Sequence, residues 1–517
     1  MVRKWAFRLV AAIVTLALLT VIGVVAQRRL NLPASKVELA AGSATATWQQ
    51  APERPNILLL TVDDMNWNSA GILGADVRGV TPHIDALAGQ GMLFRRAFVT
   101  SPICQPSRSV WMTGMYPPRN GATGFNRINE DVPTLADTLR ANGYRVGIVN
   151  KVTHTPPYMP DRWDYFVAER DNGVGRIPEK MGEQAEAFFR DAARRGTPFF
   201  LNLNINDPHR PFAGTSNPLA LLDRAAGLDY PTGPTDAYKQ GDASIPGFLP
   251  QAPSISREMA EYFTSVHRAD QSVGAVLAAL ERSGAAPYTL VILVSDNGMA
   301  FPFGKSTLYE NGTRTLMVVR WPDRVSAGGV DDSHMVSGID IAPTILDAAG
   351  VPSPVVLDGR SLLPLLAGQA DAGPDHVFTY LAQVNTGLVP FLDLDFTSRA
   401  VRSRDGWLYI WSPWADGKKA FVAEAMLGRT YPAMQELAEK DPAMAARVDL
   451  FRHRVPEELF NVDRDPDGLT NLADNKAHAE RLASLRQVLL RHLEETNDPA
   501  LDRYRDFLAG KTKGGAS

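Results

Sequence analysis

The only cysteine in this chain of 517 residues is Cys104, in the stretch "SPICQPSRSVWMTG" at 101–114. A lone cysteine most often packs as a small apolar side chain, and this interpretation holds unless its neighbours indicate otherwise. Those neighbours are small, polar or basic, and Pro106 and Arg108 follow closely along the chain. A single cysteine also excludes an intrachain disulfide and any zinc site built from several cysteines.

Acidic and amide side chains follow two strongly apolar runs. "NILLLTVDD" ends in Asp63 and Asp64, and "LVILVSDN" ends in Asp296 and Asn297. If the runs are parallel strands, their carboxyl ends meet at one edge of a sheet, where ligands bind. Carboxylates gathered there repel one another without a cation, and hard oxygen ligands suit Ca²⁺ or Mg²⁺. The alternative is that each residue caps a helix or forms a turn, as Asp and Asn often do.

A set of cationic and titratable side chains lies close to the same expected strand ends. It comprises Arg108, Lys151, His154, His209 and Lys305. His209 comes shortly after Asp207, at the end of a strand expected at 199–205. Such a set suits an anionic oxyacid group, which cations neutralise while a histidine gives a proton to the leaving oxygen. Taken singly, a solvated surface charge explains each lysine or arginine, and a loop position explains each histidine.

Helices, glycines and strands alternate at lengths typical of a sheet wrapped by helices. "TLADTLRANGYRVGIVNK" predicts a helix, a stop at Gly143 and a strand, and "EQAEAFFRDAARRGTPFFLNLNINDPH" repeats this order around Gly196. Pro106 and the small polar residues near Cys104 suit the N-terminal turn of a helix that continues through Met112. We therefore expect an α/β fold with a large, mostly parallel sheet flanked by helices.

The pattern of predicted helices and strands changes towards the C-terminus. "SRAVRSRDGWLYIWSP" predicts a hairpin with Asp405 and Gly406 at its turn, and a final amphipathic helix is expected at about 477–495. We expect a catalytic domain at 54–380. A smaller α+β subdomain, with an antiparallel sheet and a terminal helix, is expected at 381–510.

The first residues predict export. Arg3 and Lys4 precede the apolar run Leu9–Ala26, which has 18 residues. As a helix this run is about 27 Å long, close to the roughly 30 Å hydrocarbon core of a bilayer. Residues 1–27 are therefore a signal peptide or an N-terminal membrane anchor, and the protein is expected in the periplasm or outside the cell. Residues 28–53 are rich in Ala, Ser and Thr and predict a linker.

Composition is that of a globular protein, with 45% apolar and 21% charged residues. The formal net charge is −4, and the chain has no long basic run. A nucleic-acid partner is therefore not expected.

Several blocks of sequence around these residues occur in a characteristic order. "CQPSR" is followed by Thr113 and Gly114, and the chain also contains "PNILLLTVDD", "NKVTHTPP", "NDPHRPF", "SDNGMAFPFGK", "GIDIAPTILDAAGV" and "EELFNVDRDPDGLTNLAD". These blocks resemble those of the type I, formylglycine-dependent sulfatases, whose cysteine motif reads Cys-x-Pro-Ser-Arg-x-x-x-x-Thr-Gly. The resemblance covers about 55–475 and implies an alkaline-phosphatase-like fold.

The resemblance implies a purpose for Cys104. In this family a maturation enzyme oxidises the motif cysteine to formylglycine, and the hydrated aldehyde attacks sulfur. One of its two geminal oxygens then carries the sulfate, and the other expels sulfate and restores the aldehyde. A thiol has no second oxygen, so the cysteine is a precursor of the nucleophile.

The resemblance also assigns roles to the polar residues at the strand ends. A Ca²⁺ ion, or Mg²⁺, would be held by an oxygen of residue 104 together with Asp63, Asp64, Asp296 and Asn297. Arg108 would orient the formylglycine hydrate. The sulfate would be bound by Lys151, His154, His209 and Lys305. One histidine would protonate the leaving group, and the other would assist elimination.

Within the family, "DPHRPF" and "FPFGKSTLYENGT" most resemble the heparan N-sulfatase (sulfamidase) branch, whose second block reads Phe-Pro-x-Gly-Arg-x-x-x-Tyr-x-x-Gly-Thr. Lys305 stands at the arginine position of that block. Lys151 and His154 are spaced as in iduronate-2-sulfatase, whereas the sulfamidase branch has Lys-x-His. The expected substrate is a sulfated sugar or glycosaminoglycan fragment, with N-sulfoglucosamine favoured over an O-sulfated sugar.

Two other functions compete with this interpretation. A phosphonate or phosphodiester hydrolase of the same superfamily can use the same cysteine motif. An inactive, membrane-tethered glycan-binding protein would keep an unmodified Cys104 or lack the metal site. The presence of every expected ligand and cation argues against this second rival.

Overall fold

A computed structural model describes residues 33–215, 238–369, 373–383 and 395–511. A ten-stranded sheet forms the larger part of the molecule. Its strands are β1 (Lys36–Val37), β2 (Asn56–Asp63), β3 (Met92–Phe98), β4 (Arg145–Val149), β5 (Tyr165–Val167), β6 (Phe199–Pro208), β7 (Thr289–Ser295), β8 (Arg314–Arg320), β9 (Gly329–Asp331) and β10 (Val336–Ser337). They are ordered β1-β5-β4-β6-β2-β7-β8-β3-β10, and β9 pairs with β3.

The centre of this sheet consists of apolar strands that are buried along their whole length. β2 lies between β6 and β7 and is parallel to both, with Thr61 opposite Asn204 and Val62 opposite Ser295. The exceptions to parallel pairing are β1 with β5 and β8 with both β7 and β3. The predicted large, mostly parallel sheet is therefore confirmed, and the residues that follow β2, β6 and β7 share one edge.

Helices cover both faces of the sheet. The described α-helices are α1 (Pro82–Gly89), α2 (Cys104–Thr113), α3 (Pro117–Asn120), α4 (Leu135–Ala141), α5 (Pro178–Arg195), α6 (Pro253–Arg282), α7 (Glu310–Thr313), α8 (Ile341–Ala348), α9 (Leu363–Leu366), α10 (Thr430–Ala438), α11 (Pro442–His453), α12 (Ala479–Glu495) and α13 (Leu501–Leu508). Side chains alternate between the two faces along β2, as in any strand. Leu58 and Leu60 pack with α5 and α6, whereas Ile57 and Leu59 pack with α2, α4 and α8.

A second sheet is antiparallel and follows the first along the chain. Its strands are β11 (His376–Gln383), β12 (Asp395–Ser403), β13 (Trp407–Trp411) and β14 (Glu457–Asn461). The predicted hairpin is present as β12 and β13, with Gly406 at φ +90° in the turn, and α12 corresponds to the predicted terminal helix. The sheet begins at His376, a few residues before the expected start of the subdomain at residue 381.

The expected linker at 28–53 differs from the structure over its described part. Lys36 and Val37 form β1, which pairs with Phe166 and Tyr165 at the edge of the large sheet. Ser43 is buried and donates its hydroxyl to Asp191 of α5 at 3.0 Å. Residues from 33 onward are thus part of the catalytic body, because β1 supplies the edge strand β5 with a partner.

The predicted export segment at 1–27 lies outside the described residues. Within the described part of the chain, no helix combines the length and the apolar character needed to cross a membrane.

Candidate active site

Cys104 is the first residue of α2, which confirms the predicted N-terminal turn. It is 2% exposed, and every residue of α2 is buried. Gly114 ends the helix with φ +63°, a left-handed conformation that favours glycine. Ser306 donates its backbone N–H to the carbonyl of Pro102 at 2.8 Å. This bond joins the turn before Cys104 to the loop that carries Lys305.

Three carboxylates meet beside Cys104 at the ends of β2 and β7. One oxygen each of Asp63, Asp64 and Asp296 lies within 4.8 Å of the other two. The backbone N–H of Asp64 donates to Asp296 Oδ1 at 3.1 Å, and Asn297 Nδ2 donates to Asp64 Oδ1 at 2.8 Å. Asn297 Oδ1 is buried and accepts no hydrogen bond from any described residue. The structure thus brings the four side chains predicted as metal ligands together.

This set of donors fits a hard divalent cation. Burial and the neighbouring Asp63 carboxylate together raise the pKa of Asp296 to about 6. Burial also holds the pKa of Asp64 well above its usual range, although Lys305 opposes this. A cation among these oxygens would offset the repulsion and the desolvation, and Asn297 Oδ1 offers it a neutral ligand. Oxygen-only coordination favours Ca²⁺ or Mg²⁺ over softer metals.

Arg108 is buried and holds the strand ends together. Its Nε and Nη2 donate to Asp296 Oδ2 at 3.1 and 2.8 Å. Its Nη1 donates to the hydroxyl of Thr61 at 3.0 Å and to the side-chain oxygen of Asn204. Burial opposes its charge, but Asp296 and Asp63 outweigh this and raise its pKa. The guanidinium therefore stays charged and fixed beside residue 104.

The two predicted lysines are buried and face the carboxylates. Lys151 forms an ion pair with Asp63 Oδ2 and Lys305 Nζ lies 2.8 Å from Asp64 Oδ1. Lys151 has φ +52° after Asn150 at φ +62°, a tight turn directly after β4. Although burial raises the pKa of Asp63, Lys151 and other cations lower it well below its usual range.

The two predicted histidines lie in the same pocket and are neutral. His209 Nδ1 is 2.6 Å from the carbonyl oxygen of Arg210, so Nδ1 carries the hydrogen and donates it. His154 packs edge-on against Phe125, with ring centroids 5.5 Å apart. Burial, with a smaller contribution from Lys151, lowers the pKa of His209 to about 3 and that of His154 well below its usual range. Each imidazole can therefore accept a proton.

Cys104 itself is not arranged to act as a thiolate. Its Sγ lies 3.5 Å from Asp63 Oδ1. Burial raises the pKa of the thiol well above its usual range, and the Asp63 carboxylate raises it further. Reactive cysteines have lowered pKa values, so this environment does not favour sulfur as the nucleophile.

Asp207 stands at a strand end like the residues predicted as metal ligands but belongs to a different cluster. Arg268 donates to both of its oxygens, and Arg176 pairs with Oδ1. All three residues are buried. Asp207 is therefore neutralised by arginines and is not among the described carboxylates that lie within 4.8 Å of one another.

Sequence analysis missed three residues that the structure places at the site. Thr61 and Asn204 hold Arg108, and their signal is a polar residue inside an apolar, fully buried strand. Glu424 lies on a short 3₁₀ turn far along the chain and accepts from Lys305 Nζ at 2.8 Å. No motif marks Glu424, because its neighbours in sequence carry no recognisable pattern.

The segments 120–130, 155–175 and 385–400 are polar or irregular in sequence, and we expect them to form the rim of the pocket. Phe125 faces His154 from the first of these segments, and Gln105 Nε2 donates to the carbonyl of Asn126 at 2.6 Å. Tyr158, from the second, lies near Ser109 of α2, with 3.4 Å between their hydroxyls. Residues 385–394 of the third segment lie outside the described residues.

Comparisons with known proteins agree with this site. The profile of the sulfatase family matches residues 55–351. N-sulphoglucosamine sulphohydrolase from Homo sapiens is 31% identical over 477 residues, and the alignment covers 86% of this chain and 91% of that enzyme. The site residues predicted from the sequence, from Asp63 to Lys305, lie within the range that the family profile matches.

Solved structures identify the fold. A structure determined in complex with its substrate D-glucosamine-2-N,6-O-disulfate has a TM-score of 0.64 at 18% identity, covering 87% of this chain and 99% of its own. The phosphonate monoester hydrolase of Agrobacterium radiobacter has a TM-score of 0.60 at 20% identity, covering 86% and 96%. The fold is that of the alkaline-phosphatase-like hydrolases.

Within that class, the chain belongs to the sulfatase family. It resembles the sulfamidase branch, as the sequence blocks predicted, and it is a sulfatase.

Proposed function

We propose that this protein is an exported, Ca²⁺-dependent sulfatase that releases sulfate from a sulfated glucosamine or glycosaminoglycan fragment, with formylglycine formed from Cys104. The observation that carries the proposal is the position of Cys104. It begins a buried helix beside Asp63, Asp64 and Asp296, and Arg108 and two buried lysines surround the same point.

Asp63, Asp64, Asp296 and Asn297 would hold the cation, together with an oxygen of residue 104. Bound there, Ca²⁺ or Mg²⁺ supplies positive charge to the sulfate oxygens and to the oxygen of residue 104. Asn297 Oδ1 is buried and accepts no hydrogen bond from any described residue, and the pKa values of Asp64 and Asp296 are raised; both observations support this assignment.

Formylglycine would supply two geminal oxygens, one to attack sulfur and one to expel sulfate. The raised pKa of the Cys104 thiol supports a precursor role, because a thiol in this environment is a poor nucleophile. Arg108 is fixed by Asp296, Thr61 and Asn204 and would orient the hydrate. A maturation enzyme would be the partner that modifies Cys104.

The remaining residues would bind the sulfate and move protons. Lys151 and Lys305 are charged, buried and close enough to Cys104 to act on it electrostatically, so they neutralise an oxyanion there. His154 and His209 are neutral, with Nε2 of His209 free of the hydrogen that Nδ1 gives to Arg210. They would share the two proton transfers, one to the leaving group and one during release of sulfate.

The substrate class is supported by the relatives. The human enzyme with 31% identity is an N-sulphoglucosamine sulphohydrolase, and a structure of the same fold holds glucosamine disulfate as its substrate. We therefore place N-sulfoglucosamine first and an O-sulfated sugar second.

The test is sulfate release by the purified protein from an aryl sulfate, glucosamine 2-N-sulfate and glucosamine 6-O-sulfate, compared with hydrolysis of an aryl phosphodiester. We expect sulfate release to exceed phosphodiester hydrolysis, and we expect Cys104→Ala to abolish it. A protein that prefers the phosphodiester would instead be a phosphodiester or phosphonate hydrolase, the reaction named for one structural neighbour.

A further inference from the structure

One carboxylate stands where a sulfate pocket is expected to present cations and neutral donors. Glu424 has a side chain that is 22% exposed, and its Oε2 accepts from Lys305 Nζ at 2.8 Å. Its Oε1 lies 3.6 Å from His209 Nε2 and is buried without a hydrogen bond from any described residue. The proposed sulfate and metal chemistry uses neither oxygen.

The position of His209 explains why Oε1 is open. His209 Nδ1 faces the carbonyl of Arg210 at 2.6 Å, and its Nε2 is 3.6 Å from Glu424 Oε1, which is too far for a hydrogen bond. Glu424 Oε1 is therefore left as an acceptor without a donor among the described residues. A buried acceptor without a donor is unfavourable, so a ligand that donates a hydrogen bond to it binds more favourably than one that does not.

The protein fixes Glu424 with a network of its own. Arg210 Nη1 pairs with Glu258 Oε1 of α6 at 2.7 Å. Glu258 in turn accepts the backbone N–H groups of Arg429 and Thr430 at 2.9 and 2.7 Å, at the start of α10. Because Ala425 is also buried in the core, the chain that directly follows Glu424 is held against the catalytic body. Lys305 holds the carboxylate itself.

We infer, on the basis of the proposed function, that Glu424 Oε1 accepts the N–H of a sulfamate and thereby selects N-sulfate over O-sulfate. A sulfamate nitrogen carries one hydrogen beside its S–N bond, whereas the bridging oxygen of a sulfate ester carries none. An ester oxygen facing Oε1 would place two hydrogen-bond acceptors next to each other with no hydrogen between them. When the S–N bond breaks, the nitrogen keeps this hydrogen and takes a proton from the general acid, so the leaving amine still donates to Glu424.

The test compares wild type with Glu424→Gln and Glu424→Asp on glucosamine 2-N-sulfate and glucosamine 6-O-sulfate. In Glu424→Gln the amide oxygen can stay on Lys305, which places an NH2 donor at the position of Oε1. The ratio of kcat/KM for the N-sulfate to kcat/KM for the O-sulfate is therefore expected to fall by about tenfold or more. Glu424→Asp keeps an acceptor and should retain part of the preference. The matched control is Glu261→Gln, which removes a carboxylate that pairs with Arg429 outside the pocket.

The outcomes separate this inference from the proposed function. An unchanged ratio in Glu424→Gln overturns the inference, as does an equal loss on both substrates, which would mark a residue that only positions His209 or Lys305. A wild type that hydrolyses the O-sulfate and not the N-sulfate overturns the inference and leaves the sulfatase proposal intact. Absence of Cys104-dependent sulfate release from every substrate overturns the proposed function itself.

Discussion

Arg108 places two nitrogens on a single oxygen of Asp296, with Nε at 3.1 Å and Nη2 at 2.8 Å from Oδ2. The third nitrogen of the guanidinium reaches Thr61 on β2 and Asn204 on β6. One side chain on α2 therefore joins the ends of three neighbouring strands. This contact places residue 104, one helical turn earlier, against the carboxylates.

The first prediction concerns this contact. Arg108→Ala removes the partner of a buried carboxylate, and losses of this kind cost about 3–5 kcal/mol of unfolding free energy. Chemical denaturation followed by circular dichroism measures the change. Arg282→Ala is the matched control, since its pair with Glu186 is half-exposed and should change stability little. Equal stability of Arg108→Ala and wild type would contradict the role of this pair.

A second prediction concerns the cation. Exhaustive chelation should abolish sulfate release, and added Ca²⁺ should restore it, because the carboxylates then regain their counter-charge. Direct metal analysis of the purified protein should find about one divalent ion per chain, and Asp64→Asn should lower this content. Full activity of chelated, metal-free protein would contradict the assignment.

A third prediction concerns residue 104. Cys104→Ala should lose at least about a thousandfold in kcat, because it removes the nucleophile. Cys104→Ser should be similarly weak if maturation requires a cysteine. Both variants should keep the wild-type circular dichroism spectrum, since the change in side-chain volume is small. Substantial turnover by Cys104→Ala would rule out the mechanism.

A fourth prediction concerns pH and stability at the joint between the two sheets. His492 of α12 is buried and stacks on Phe378 of β11, with ring centroids 3.5 Å apart. Burial lowers its pKa to about 3, from 6.5. The unfolded chain therefore binds a proton between these values that the folded protein does not, and stability falls as the pH drops below about 6.5.

His492→Gln should remove part of this acid sensitivity. Between pH 7 and pH 4.5, its loss of unfolding free energy should be smaller than that of wild type by about 2–3 kcal/mol. His453→Gln is the control, because His453 is exposed and pairs with Asp449. Parallel pH profiles for His492→Gln and wild type would show that His492 does not titrate on unfolding.

The sequence was sufficient to predict that the carboxylates proposed as metal ligands lie together, for a simple reason. Asp63 and Asp296 each follow an apolar run, and parallel strands bring such positions to one edge. The same argument could not separate Asp207 from them. Asp207 instead pairs with Arg268, which reaches it from α6. This contact depends on tertiary packing that no local sequence pattern encodes.

Glu424 shows the same limit over a longer distance. It is 119 residues from Lys305 in sequence, and Glu258 anchors the chain that follows it at the start of α10. The short strand at Lys36–Val37 escaped sequence analysis for a different reason. Two residues show no periodicity, and their pairing is set by the exposed edge of β5.

The central claim is that Cys104 is the precursor of the catalytic group. Its most direct test is mass spectrometry of the peptide spanning 101–108, on protein from its native host. We predict a loss of about 18 Da relative to the thiol form, together with reactivity towards an aldehyde probe. An unmodified Cys104 in protein that is fully active would contradict the claim.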